Sequence, residues 1–280
     1  MTSLPRARRF WSNFAVRAAS GTVLASAALA AVWVFDWSAP LWRAPFLVMV
    51  AVAGALLSIE WSAMATPKVS RRASVVTTIA VVAVIFLAFL GHYIWAWAFI
   101  GLGALIAAAA VRGPSARAID AAYGVLYIAP ACLVIVWLRE THQGRGWVMM
   151  LFATTWAADI AAFVVGSALK GPKLWPRFSP NKTWTGFFGG LVAATATSVG
   201  VAAGVMRLSL AGAALIGLLA GLATMGGDLW ESMLKRRYGV KDSGDLIPGH
   251  GGLLDRVDGM MFAVMVFALA RLVVRFGWAH

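Results

Sequence analysis

Long apolar stretches broken by short polar connections recur along nearly the whole chain. A helix that crosses a bilayer needs about 20 consecutive, largely apolar residues. That length predicts nine spans, near 18–37, 44–65, 73–90, 94–111, 119–138, 147–168, 185–206, 208–227 and 258–276. The pattern fails once at length, from Gly226 to Asp258, where six of the chain's 11 acidic residues gather. They are Asp228, Glu231, Asp242, Asp245, Asp255 and Asp258, mixed with Lys235, Arg236, Arg237, Lys241 and Arg256. Charge collected beside a bilayer marks a candidate site.

The fold class expected is an all-α polytopic membrane protein of about nine transmembrane helices, with a polar active-site loop region on the cytoplasmic side. Composition agrees: 61% of the 280 residues are hydrophobic and 12% charged, against about 25% charged in soluble domains. The net charge of +13 does not indicate nucleic acid, because the basic residues are dispersed through short loops. With the N-terminus inside, the inside segments hold eighteen of the 24 Lys and Arg residues. This asymmetry places the charged island in the cytoplasm. Residues 1–17 form a basic interfacial segment, 18–145 a set of N-terminal transmembrane helices, and 146–280 a C-terminal catalytic region. Ala25-Ser26-Ala27 could pass for a signal-cleavage site, but the apolar run is too long for a signal peptide. The first helix is therefore expected to be retained. Cys132, the only cysteine, makes neither an intramolecular disulfide nor a Cys-based zinc site.

Two acids fall inside predicted spans. Glu60 sits close to the inside end of its run, where snorkelling to the interface accounts for it. Asp159 is nearer mid-run and shares a helical face with Thr155, Phe163 and Gly166. A mid-bilayer charge costs roughly 2.5–3.5 kcal/mol, so Asp159 reads as functional. Between the sixth and seventh spans, Pro172, Pro176 and Pro180 forbid a continuous helix. Asn181 or Thr183 can cap the helix that follows, and Lys182 beside a helix N-terminus suits an anion.

Within the island, a helix through Asp228 aligns Glu231, Ser232 and Lys235 on one stripe. Residues 241–252 cannot be regular helix, and their glycines would let N–H groups converge as phosphate nests require. Asp255 and Asp258 stand three apart at the start of the last helix. There is no P-loop, no HExxH or CxxC pattern, and no nucleophile elbow to support a triad of Ser232 or Ser243 with His250. Carboxylates beside lysines, arginines and a glycine-rich turn suit a magnesium–phosphate site. These observations reach a metal-assisted site for phosphorylated ligands, without naming the reaction.

The residues Ser232-Met-Leu-Lys235-Arg236, four residues, Lys241-Asp242-Ser-Gly244, then Ile247-Pro248-Gly-His250-Gly251-Gly252-Leu-Leu-Asp255-Arg256-Val-Asp258 closely resemble the signature of the phosphatidate cytidylyltransferase (CDP-diacylglycerol synthase) family. Ser179-Pro-Asn-Lys182-Thr183-Trp184-Thr-Gly186, and Asp159 with Phe163 and Gly166, resemble two further blocks. Thr185 stands where the family often has Glu, and Phe163 where it often has Tyr. The resemblance implies CTP plus phosphatidate giving CDP-diacylglycerol plus pyrophosphate, in phospholipid biosynthesis at a bacterial-type inner membrane. It implies Mg2+, with or without a monovalent cation, held by Asp228 and Asp255. It gives catalytic roles to Lys235, Arg236, Lys241, His250, Arg256 and Asp258 as well. Substrate contacts are implied for Ser179, Lys182, Thr183, Asp159, Ser232, Asp242, Gly251 and Gly252. The partners are CTP, phosphatidic acid and membrane lipid, not nucleic acid; a homodimer stays open. A CTP- or ATP-dependent lipid-alcohol kinase would share the setting, and an ion-coupled transporter would use Asp159 and Glu60.

Overall fold

The computed structural model describes residues 21–33, 40–111, 117–206, 208–246 and 251–275. Of the first predicted span, Gly21–Trp33 forms helix α1 and the remainder lies outside the described residues. Then follow α2 (Pro40–Ala65), α3 (Ser70–Phe89), α4 (Tyr93–Ala110), α5 (Ala118–Glu140) and α6 (Gly144–Leu169). After a two-stranded hairpin come α7 (Trp184–Val205), α8 (Leu210–Arg237) and α9 (Leu254–Arg275). Among the described residues, eight helices are long and apolar enough to cross a membrane. The protein is an all-α polytopic membrane protein.

The helices end where the side chains demand it. Gly91 at φ +76° turns the chain from α3 to α4, a conformation closed to most residues. Proline stands inside α2 (Pro45) and α5 (Pro130), as it does more often in membrane-spanning helices than in soluble ones. Packing is inverted relative to a soluble protein. Ile94, Ile119, Val192 and Leu105 lie largely exposed on the outside, while Trp61, Phe46 and Phe267 are fully buried.

Helices α2 to α5 pack on one another, as do α6 to α9, and α5 touches α6 and α9 across the middle. Polar ties lock the charged end. Asp120, buried in the first turn of α5, accepts from Tyr238 (2.9 Å) and Arg237 (3.2 Å) just beyond and within the end of α8. Trp61 of α2 donates to the Asp120 carbonyl at 2.9 Å and rests against Tyr123, Tyr127 and Tyr238. Burial and the Asp120 hydrogen bond hold the Tyr238 phenol above its ordinary pKa, so it stays a donor.

Candidate active site

Helix α8 does not stop at residue 227 where its apolar run ends; it continues ten residues into the island, to Arg237. That extension sets Asp228, Glu231, Ser232 and Lys235 on one face, as their spacing predicts. Helix α9 meets it at a crossing of two glycines. A Cβ on Gly227 would lie 2.6 Å from the Asp258 carbonyl and 2.9 Å from Gly259 Cα. Such backbone-on-backbone contact is how small residues pack membrane helices. Here it brings the Asp258 carboxyl against both Asp228 and Glu231.

A second close crossing joins α6 to α7. A Cβ on Gly186 would meet the Ala162 carbonyl at 2.6 Å and Gly166 Cα at 3.3 Å. Between these helices the chain forms an antiparallel hairpin of β1 (Lys173–Trp175) and β2 (Ser179–Thr183). The prolines predict a non-helical connection here, but not strands. Thr183 rather than Asn181 caps α7, accepting from the Gly186 N–H at 3.2 Å. The hairpin thereby delivers Lys182 onto Asp228, where the two form an ion pair.

These elements enclose a cavity of about 800 Å3. Its charged wall carries Asp159, Lys182, Asp228, Lys235, Asp255, Arg256 and Asp258, with Ser232 among them. Its apolar wall is Ala162, Phe163, Phe187, Met225 and Leu174, and Lys170, Lys173 and Asn181 also border it. Lys235 bridges two acids, at 3.1 Å from Glu231 and 2.6 Å from Asp255. Glu231 is fully buried beneath the cavity; its spacing with Lys235 reads equally well as a surface helix pair, which is why the sequence alone does not single it out. Of the predicted α6 face, Asp159, Phe163 and Gly166 line the cavity, whereas buried Thr155 bonds back to Leu151 and Phe152.

Other expected residues stand elsewhere. Arg236 is exposed and donates to the Val240 carbonyl at the end of α8. Lys241 and Asp242 are exposed outside the cavity lining, and Ser179 faces Trp175 across the hairpin. Thr183 borders the cavity, with its hydroxyl engaged in the cap. His250 lies outside the described residues.

The glycine-rich turn departs most from the sequence reading. Its N–H groups do converge, but on carboxylates of the protein itself. Gly252 and Ser243 donate to Asp255 at 3.1 and 3.0 Å. Leu253 and Leu254 donate to the two oxygens of Glu60, each at 2.8 Å. Gly251, at φ +84°, shapes the turn and lies next to the Asp255 carboxylate. Glu60 does not snorkel. It is buried, 6% exposed, and faces the bundle.

Residues 15–274 match the cytidylyltransferase family. The chain is 42% identical over 193 residues to a phosphatidate cytidylyltransferase of Brucella suis, covering 62% of this chain and 71% of the relative. It is 38% identical over 151 residues to the enzyme of that name from Pseudomonas aeruginosa, covering 52% of this chain and 54% of the relative. Against the one from Staphylococcus saprophyticus it is 37% identical over 147 residues, covering 52% and 56%. With a match that takes in every helix bordering the cavity, the chain belongs to the cytidylyltransferase family.

Proposed function

We infer that the protein is a phosphatidate cytidylyltransferase: CTP and phosphatidate react to give CDP-diacylglycerol and pyrophosphate. A phosphate oxygen of phosphatidate attacks the α-phosphorus of CTP. The bond from that phosphorus to the bridging oxygen breaks, and pyrophosphate leaves with the electron pair. The attacking oxygen is already ionised, so no strong base is required. The difficulty is to bring two polyanions together and to stabilise the charge that develops, which positioned cations do.

One observation carries this reading. A single cavity joins a wall of lysines, an arginine and carboxylates to an apolar wall on membrane helices. Lys182, Lys235 and Arg256 would neutralise phosphates, and the apolar wall with Phe163 and Phe187 would receive the glycerolipid. The charged end faces the cytoplasm of a bacterial-type inner membrane on this reading, supported by the excess of Lys and Arg in the loops on that side.

The donor set suits Mg2+. The ion takes one or two carboxylates and fills its remaining positions with water and substrate phosphates, so it needs no cage of three acids. No such cage exists among the described residues. Asp228 on α8 and Asp258 on α9 line the same cavity, and carboxylates gathered on one wall favour a cation beside them. Asp228 and Asp258 would hold the ion, and Asp255 would join by yielding its bond to Lys235. When bound, the metal supplies charge stabilisation at the phosphoryl oxygens.

Purified protein with phosphatidate, Mg2+ and CTP labelled at the α-phosphate tests the assignment. Label in the lipid product with release of pyrophosphate is expected. Absence of labelled lipid would overturn it, and γ-label on an added lipid alcohol would indicate a kinase instead.

A further inference from the structure

Glu60 lies on α2, outside the catalytic region expected from the sequence, and 193 residues before Leu253. It does not border the cavity. Yet its carboxylate receives the N–H groups at the start of α9: Leu253, the residue before it, on Oε1 and Leu254, its first, on Oε2, both at 2.8 Å. Ser243 Oγ approaches Oε2 as well, at 3.4 Å. The slot is cut by two glycines. A Cβ on Gly252 would lie 2.9 Å from Glu60 Oε2, and one on Gly244 would lie 3.2 Å from Oε1. An acid at a helix N-terminus is favourable because it meets unpaired donors and the positive end of the dipole. Here the acid comes from a different helix.

From this clamp a chain of contacts leads to the site. Ser243, whose hydroxyl Glu60 accepts, also gives its N–H to Asp255. Gly252, next to the clamped amides, gives its N–H to Asp255 too. Asp255 in turn holds Lys235 at 2.6 Å. We propose that Glu60 is a positioning residue for cytidylyl transfer, fixing the start of α9 and, through Ser243 and Asp255, the ammonium of Lys235. The kinetic part rests on the reaction proposed above; the structural part does not.

The test begins with hydrogen exchange on the wild-type protein in detergent. The Leu253 and Leu254 amides exchange as slowly as amides inside α9; rapid exchange, as for an uncapped first turn, overturns the proposal whatever the variants do. In Glu60→Gln one N–H faces an amide donor, and exchange at these two positions rises about tenfold or more. Its kcat falls about tenfold or more while KM for CTP changes less than threefold, the mark of an interaction that matters in the transition state. Ser62→Ala, which removes a buried hydroxyl bonded within α2, leaves both quantities at wild-type values. A merely structural Glu60 would lower yield and melting temperature while the folded fraction turned over at wild-type kcat, and that result overturns the proposal. Glu60→Asp, which keeps the charge but shortens the reach, gives an intermediate kcat if the glutamine variant does not insert. A wild type inactive with α-labelled CTP would instead remove the proposed reaction and leave the exchange result standing.

Discussion

Lys235 on α8 donates across the helix interface to Asp255 on α9, with Nζ 2.6 Å from Oδ1. The same ammonium is 3.1 Å from Glu231, which is fully buried. One cation therefore compensates two carboxylates at the floor of the cavity. Lys235→Met leaves the buried Glu231 charge without its partner, a loss of about 3–5 kcal/mol of stability. Turnover falls about 100-fold or more, since a charge aimed at developing negative charge is gone. Adding Glu231→Gln to the methionine variant removes the orphaned charge and recovers part of the stability but none of the turnover. Melting in detergent, alongside transfer of α-label, separates the two effects.

Asp228 is the acid reached from both sides, by Lys182 from the hairpin and by Asp258 from α9. Asp228→Asn keeps the helix and its packing, and the protein inserts normally. Turnover falls to about 1% or less, because both the proposed metal ligand and the anchor for Lys182 are lost. Binding of Mn2+ followed by electron paramagnetic resonance weakens in the same variant. Chelation of divalent ions silences the wild type reversibly. Activity in the asparagine variant equal to wild type would remove Asp228 from the metal site.

How far the sequence reaches depends on what kind of signal each residue leaves. Hydropathy over about 20 residues locates the helices, because lipid-facing positions must be apolar whatever the tertiary contacts. Asp228 with Lys235, and Asp255 with Asp258, were legible because helical spacing puts each pair on one face, whereas Arg256 stood out only through the family resemblance. Glu60 was not. A carboxylate near the end of an apolar run looks the same whether it snorkels or caps a distant helix, and only the packing of α2 on α9 decides. Arg236, Lys241 and Asp242 sit in the same signature yet point outside the cavity, since a contiguous motif mixes lining residues with outward-facing ones. The hairpin left only its prolines as a trace. Its strands of 3 and 5 residues are too short for an alternating pattern to register.

Asp120 makes a different demand, on the fold rather than on the cavity. Its carboxylate accepts from Tyr238 and Arg237, and its own backbone carbonyl accepts from Trp61. Asp120→Asn retains one acceptor but loses the charge that Arg237 meets. Hydrogen bonds to charged groups contribute about 1.5–3 kcal/mol, and Arg237 is largely exposed, which reduces its share. A drop of about 1–2 kcal/mol in stability is expected, with turnover of the folded enzyme within about threefold of wild type. A larger kinetic than thermal effect would show that the end of α8 moves with Asp120.

The crossing of α8 and α9 makes the sharpest demand on shape. A Cβ at Gly259 would lie 2.7 Å from Thr224 Cγ2, 2.9 Å from the Thr224 carbonyl and 3.2 Å from Asp228 Oδ1. The first neighbour belongs to a side chain already bonded to the Ala220 carbonyl, and the second is backbone, so neither yields easily. Gly259→Ala must therefore push the helices apart at the one place where Asp228 and Asp258 meet. Overpacking of this kind costs about 1–3 kcal/mol, while the geometric loss is greater, because displacements near 1 Å at reacting groups cost about 100-fold in rate. Gly259→Ala is expected to melt only slightly below wild type and to lose most of its turnover. Gly200→Ala, on α7 with nothing within 4 Å of the added carbon, is the matched control and keeps full activity. If both alanine variants turn over alike, the two acids do not need their contact, and the metal reading of Asp228 with Asp258 fails with it.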